Sequence, residues 1–452
     1  MGSIPIVGSL CYNELMDAIT APETLIIFTA SPTGLGHIRV MDALMDGLLP
    51  GSQFTKIELE NIRANKIHAL GSRVPILTKF TEFYQTNKIA EFIATMIILP
   101  YYKRQTKELK EKLAEIKEQY PNKKRWIIVS THFALAYPIV EIKQELASKY
   151  GVQILNAVVV TDDSPQRIWA IDGSDIVLAP SRDTAERLQE FLNKNSKTII
   201  KAVSFPISPR LKQPLTQEEF QILENQFDPK AKNPLHISIP ISGAAVQINF
   251  LASLVNILAQ DNFQFTIIGQ LTSYTKTFFE KVKQIPRAQL AEGTSAKQTV
   301  SLYESIFYQG LRPALEITKP SEQCFKAILK PNERGGVILL LTNPVGRQEY
   351  DNLNFLIRHL LLPDDNEQKL LEKYLLKDGT LPESERPQWH YKASHWRAVR
   401  LPNSPQKAAE FIKKLKQEGI LHSMLAYVAQ PQVDLTSDGV SQIWKRISEV
   451  IK

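Results

Sequence analysis

Short, nearly uninterrupted apolar runs alternate along this chain with longer segments whose apolar residues recur at helical spacing. Runs of the first kind predict strands buried on both faces of a parallel sheet. They fall at Leu25–Thr29, Trp126–Ser130, 153–160, Asp175–Ala179, His236–Ile239, 263–268, 314–318 and 336–342. Segments of the second kind predict helices over Ile38–Leu49, Thr106–Gln119 and 138–149, and from Ser181 or Asp183, either of which is a good N-cap. Such alternation of strand and helix is the mark of a doubly wound α/β domain.

The pattern breaks at Phe205-Pro206-Ile207-Ser208-Pro209, which reads as an interdomain linker. A second series starts at His236 and has its own small-residue turn, Ser242-Gly243-Ala244-Ala245. The expected architecture is α/β: two Rossmann-like doubly wound domains facing a cleft. Residues 1–208 form the first domain and 209–430 the second. An amphipathic helix within 431–452, carried by Val440 to Ile451, packs back on the first domain. The polar, proline-bearing segment 363–402 reads as a surface excursion. The apolar and aromatic stretch 76–104 has two readings. It is either a surface that docks on a membrane with Lys103 and Arg104 among the headgroups, or a buried helix pair.

Composition narrows the class. With 43% hydrophobic and 22% charged residues among 452, extended disorder is excluded. No apolar window approaches the roughly eighteen residues of a spanning helix. The first residues lack the basic and apolar regions of a secretory leader, and Ile6 stands where a myristoylation pattern needs Ser or Thr. Two cysteines, Cys11 and Cys324, cannot form a disulfide framework, so the expectation is a cytoplasmic protein, peripheral to a membrane at most. The net charge of +7 favours an anionic partner. No nucleic-acid module is recognisable, and no nucleic-acid partner is expected.

Candidate chemistry gathers where strands end, because the carboxyl ends of strands line the ligand crevice of an open parallel sheet. In the first half these are the turn Thr33-Gly34-Leu35-Gly36-His37, the strand end Thr131-His132, and Thr161-Asp162-Asp163. His37 at a helix start, or a carboxylate of Asp162 or Asp163, suits acid/base work. The aspartates equally suit capping of the next turn. In the second half, Lys319-Pro320-Ser321-Glu322-Gln323 and Gly346–Asn352 follow successive strands behind the 242–245 turn, which begins to look like a nucleotide site. His390 and His395, beside Trp389 and Trp396, are five apart and lack the spacing of a zinc pair, so no metal is expected.

These motifs, in this order, resemble glycosyltransferase family 28 and its relatives over roughly residues 23–360. The relatives include monogalactosyldiacylglycerol synthases, processive diacylglycerol glucosyltransferases and the N-acetylglucosamine transferase that makes lipid II. The segments that carry the resemblance are TGLGH at 33–37, STH at 130–132, VVTD at 159–162 with Trp169, DIVLAPSRDTAERL, FPISP at 205–209, ITKP at 317–320 and RQEYDN at 347–352. The resemblance implies a GT-B glycosyltransferase using a nucleotide-sugar, with UDP favoured, as substrate and needing no cofactor. The acceptor is a lipid or lies at a membrane surface, and transfer inverts configuration. On the donor side it implies Ser242, Gly243, Gly269, Lys319, Pro320, Ser321, Glu322, Gln323, Gln348, Glu349 and Asn352. On the acceptor side it implies Gly34, Gly36, Thr131, His132 and Trp169, with His37, Asp162 or Asp163 as the base. Three departures stand out: Pro32 replaces an acidic residue of the diacylglycerol enzymes, Ser321-Glu322 replace a Gly-Gly pair, and Ala327 replaces a ribose-binding glutamate. They favour a rival reading, a GT-B-shaped binding or regulatory protein that has lost transfer. A transferase with another nucleotide or a protein acceptor, and an epimerase of the same architecture, also stay open.

Overall fold

The computed structural model describes residues 18–30, 35–59, 87–241, 247–273, 275–308, 312–344, 346–426 and 434–451. The chain divides into two compact units, Met1–Pro209 with Asp438–Lys452, and Arg210–Ser437. Each unit holds one parallel six-stranded sheet with flanking helices.

In the first unit the strands are β1 (Thr24–Ala30), β2 (Phe54–Glu58), β3 (Arg125–Ser130), β4 (Gln153–Val159), β5 (Ile176–Ala179) and β6 (Ile199–Ala202), ordered β2-β1-β3-β4-β5-β6. Chain direction across the sheet reverses between β1 and β3, so that pair is the switch point. The helices are α1 (Leu35–Asp46), α2 (Lys88–Lys103), α3 (Lys107–Gln119), α4 (Phe133–Tyr150) and α5 (Arg182–Phe191). Every residue of β1 is buried, because both faces are covered. Leu25 and Ile27 join Leu109 and Leu113 of α3 and Ile139 of α4 in one core. On the other face Phe28 meets Trp444 edge to face, with ring centroids 6.0 Å apart.

Trp444 lies on the helix Gly439–Ser448, whose Val440, Ile443, Trp444 and Ile447 form one buried stripe at helical spacing. Its indole nitrogen donates to the Leu44 carbonyl at 3.1 Å. Gly439 permits this seat: a β-carbon there would lie 2.3 Å from the Ser204 carbonyl oxygen and 2.4 Å from that of Phe205. Gly439→Ala is therefore expected to cost about 1–3 kcal/mol by overpacking, and to expose 439–448 to protease before the remainder of the unit. Limited proteolysis with a melting curve checks this, and an unchanged variant would mean the helix has room to spare.

α4 begins at Phe133, earlier than the 138–149 expected, with Pro138 inside it. Proline reads as a first-turn residue, but His132 supplies the actual cap: its Nδ1 accepts from the Ala134 N–H at 3.0 Å. Of the 76–104 stretch, residues before 87 lie outside the described set. The rest is α2, capped by the Asn87 side chain, which accepts from Ile89 N and Ala90 N. It is not one of a buried pair: Ile89, Phe92, Ile93, Met96 and Ile97 are exposed.

In the second unit the strands are β7 (Leu235–Pro240), β8 (Phe263–Gln270), β9 (Ala288–Gly293), β10 (Leu315–Thr318), β11 (Val337–Leu340) and β12 (Ala398–Arg400), ordered β12-β11-β10-β7-β8-β9. Here the switch point lies between β7 and β10. One face carries a continuous core in which Ile237, Phe265, Ile317 and Leu339 meet Leu254, Val255, Phe411 and Ile412. The other face is polar around Ser238 and Glu316, which are register partners.

The segment 363–402 is not a surface excursion. It contributes two helices and the edge strand β12, and it buries Trp389 and Trp396 in the main core. Arg397, 1% exposed, donates its guanidinium hydrogens to the carbonyls of Leu329, Gly336 and Met424. A polar sequence thus hides an edge strand whose approach is anchored by a buried charge. Its histidines bond locally: His390 Nδ1 lies 2.7 Å from Ser423 Oγ, and His395 Nδ1 lies 3.0 Å from the Tyr391 carbonyl. Burial, with Arg386 nearby, holds His390 below the usual imidazole range. Among the described residues no group of three or more His, Cys, Asp or Glu side chains is arranged to hold a metal ion.

Candidate functional sites

In the first unit the residues after β1, β3 and β4 converge at the switch point. His37, in the first turn of α1 next to Gly36, sets Nδ1 2.8 Å from the Thr131 carbonyl oxygen. A carbonyl only accepts, so Nδ1 carries the proton, and in the neutral ring Nε2 is the basic nitrogen. Thr161 Oγ1 stands 3.1 Å from the same Nδ1 and reaches Asp162 Oδ2 at 3.5 Å. Thr131 in turn donates its hydroxyl to the His37 carbonyl at 3.0 Å. This double tie between α1 and the end of β3 fixes the imidazole.

Aromatic rings wall the site. The His132 ring packs 4.4 Å from that of His37 and 4.5 Å from Phe133, and Trp169 stands 5.2 Å from Phe133. Trp169 and His132 are almost completely buried. Asp163 has a different setting: its buried carboxylate accepts from the hydroxyls of Ser181 and Thr184 in the first turn of α5. There it also complements the positive end of the helix. Gly34 lies outside the described residues.

In the second unit the candidate residues follow β10 and β11. Lys319 pairs with Glu349, the ammonium being 18% and the carboxylate 5% exposed. Asn352, wholly buried, donates to the Pro320 carbonyl at 3.2 Å and so binds the helix Arg347–Arg358 to the turn after β10. Gln323 accepts from the Thr318 hydroxyl at 2.6 Å. Gln348 Oε1 is buried without a hydrogen-bond partner, a polar atom still to be satisfied. Ser321 precedes a 3₁₀ segment, Glu322–Ile328. Within it Ala327 is fully buried, while Ser321 and Glu322 stay partly open. Gly269, near the end of β8, is a packing glycine: a β-carbon would lie 2.8 Å from the Phe279 ring. Ser242 and Gly243 lie outside the described residues.

Sequence reasoning passed over a buried charge cluster beneath this turn. Lys326, in the 3₁₀ segment, bonds to both Glu316 of β10 and the Tyr303 hydroxyl. That hydroxyl donates to the same Glu316 oxygen at 2.8 Å. A carboxylate within the apolar strand Leu-Glu-Ile-Thr was the available signal. A separate pocket of about 620 Å³ opens along the N-terminal halves of β7, β8 and β9, lined by His236, Thr266, Arg287 and Gln289, away from both clusters of candidate residues in sequence and strand position.

No family model matches the chain, and no curated protein matches it. Among solved structures it is similar to S. aureus MnaA in a co-structure with UDP, at 11% identity over 93% of this chain and 94% of that one, with a TM-score of 0.44. It is similar to Acinetobacter baumannii MurG at 11% identity, over 95% of this chain and 100% of that one, with a TM-score of 0.43. UDP-GlcNAc 2-epimerase from Neisseria meningitidis, bound to UDP-GlcNAc, is similar at 12% identity over 94% and 98%, with a TM-score of 0.41. At such distances the likeness says nothing of substrate or reaction.

Proposed function

We propose that the protein is a glycosyltransferase that moves a sugar from a nucleoside diphosphate, UDP by preference, to a hydroxyl of a lipid or membrane-associated acceptor. The observation that carries the reading is the His37 site: a histidine at a switch point, held by a carbonyl so that Nε2 is the basic nitrogen. The resemblance to family 28, carried by STH at 130–132 at the end of β3, VVTD at 159–162 at the end of β4 and ITKP at 317–320 at the end of β10, supports it further.

In this mechanism Nε2 of His37 takes the proton of the acceptor hydroxyl as its oxygen attacks the anomeric carbon opposite the nucleotide. The bond from that carbon to the diphosphate oxygen breaks, UDP leaves, and configuration inverts. The imidazolium is stabilised through Nδ1 by the Thr131 carbonyl and, through Thr161, by Asp162. In the second unit Lys319 supplies positive charge for the diphosphate. Glu349 and Gln348 supply hydrogen-bonding groups for sugar hydroxyls, while the buried Asn352 holds their helix to the turn after β10.

The test is thermal stabilisation by UDP, GDP, ADP and TDP. A ligand at a hundred times its Kd adds about 2.7 kcal/mol. UDP is expected to stabilise the protein most, and Lys319→Ala to remove about half of that shift or more by weakening binding about tenfold or more. No shift with any nucleotide would sink the donor assignment. It would favour the non-catalytic reading, in which Glu349 permanently neutralises Lys319 and the turn has closed into a 3₁₀ run.

A further inference from the structure

We infer that the exposed face of α2 is a docking surface for an anionic lipid bilayer. Ile89, Phe92, Ile93, Met96 and Ile97 recur at intervals of three and four, so they share one helix face. Their exposures run from 45% to 73%. The opposite face holds the helix to its unit: Thr95 and Tyr102 are buried, and Glu91 accepts from the Arg167 N–H at 2.8 Å. An apolar stripe is thus displayed by a helix whose other side is fixed, at the cost of solvating five large side chains.

Charge decides the occupant. Residues 92–106 contain no carboxylate, and the stripe runs out into Lys103, paired with Glu141 at 2.9 Å, and on to Arg104 and Lys107, both exposed. At the other end the Arg167 guanidinium lies 5.1 Å from the centre of the Phe92 ring. Apolar side chains flanked by cations match the acyl boundary and anionic headgroups of a leaflet. No helix among the described residues is long and apolar enough to cross a membrane, so α2 lies in the interface. Its sixteen residues span about 24 Å of that plane.

This surface deepens the acceptor part of the reading above and gives it a place to meet a lipid substrate. Its test uses no nucleotide, so its failure and that of sugar transfer are separate results. The full chain is floated with vesicles of phosphatidylglycerol and phosphatidylcholine, or of phosphatidylcholine alone. Binding is expected to the anionic vesicles, to weaken with salt, and to fall about a hundredfold in Ile93→Ser/Ile97→Ser, whose melting temperature and mass match the parent. Failure of the parent to float, or undiminished floating of the variant, overturns the inference. So does a lowered melting temperature, which would mean the chain's own residues cover the stripe. A parent dimer that the variant disperses would assign the stripe to a second copy instead.

Discussion

Replacing His37 with alanine is expected to lower kcat for sugar transfer about a thousandfold, while stabilisation by UDP stays as in the parent. The split follows from the geometry. Nδ1 is spent on Thr131 and Thr161, so the ring's contribution is a proton acceptor at Nε2, required only as the acceptor oxygen attacks. Thr161→Val tests the same arrangement more gently. It removes the hydroxyl between Nδ1 and Asp162 and is expected to cost about tenfold in kcat. The measurement is release of UDP from a UDP-sugar with lipid acceptor present, read beside nucleotide-induced stabilisation. A His37→Ala enzyme that keeps a large share of its rate would take histidine out of the mechanism and turn attention to Asp162.

A comparably large effect, on stability, is expected of Lys326→Met. Glu316 is 1% exposed, and its partners include the Lys326 ammonium, the Tyr303 hydroxyl and, at 3.4 Å, the Ser238 hydroxyl. Removing the cation strands a carboxylate in the interior, at a cost of about 3–5 kcal/mol. For a unit of this size that is roughly a 10 °C fall in its melting temperature. The cluster also pins the 3₁₀ segment to β10 directly behind Lys319, so UDP should bind more weakly to the same variant. The double substitution Lys326→Met/Glu316→Leu is expected to recover much of the loss, since neither charge is then left alone. A single variant as stable as the parent would show that water reaches the cluster.

How far the sequence could be read depends on position in the sheet. The eight strands marked by apolar runs are interior ones. The four it did not mark, β2, β6, β9 and β12, are the four sheet edges. An edge strand has solvent on one flank, so it tolerates charges and loses its apolar run. Lys56 and Glu58 in β2, Lys201 in β6 and Arg400 in β12 show this. At the candidate sites, residue types at strand ends were legible because topology alone brings strand ends together. Partnerships were not. Nothing in the order of residues distinguishes Asp162, near the His37 network, from Asp163, committed to α5. Likewise Arg397 reads as a surface cation until the three carbonyls it serves are brought to it by the fold.

The helix Gly439–Ser448 belongs to the first unit, yet the whole of the second unit is synthesised before it. On the ribosome, the part of the sheet face where Phe28 meets Trp444 therefore waits uncovered through more than two hundred residues of translation. For that interval it is apolar surface of the kind chaperones hold. A nascent chain arrested before residue 438 should carry such a chaperone, and one extended past 448 and clear of the exit tunnel should shed it.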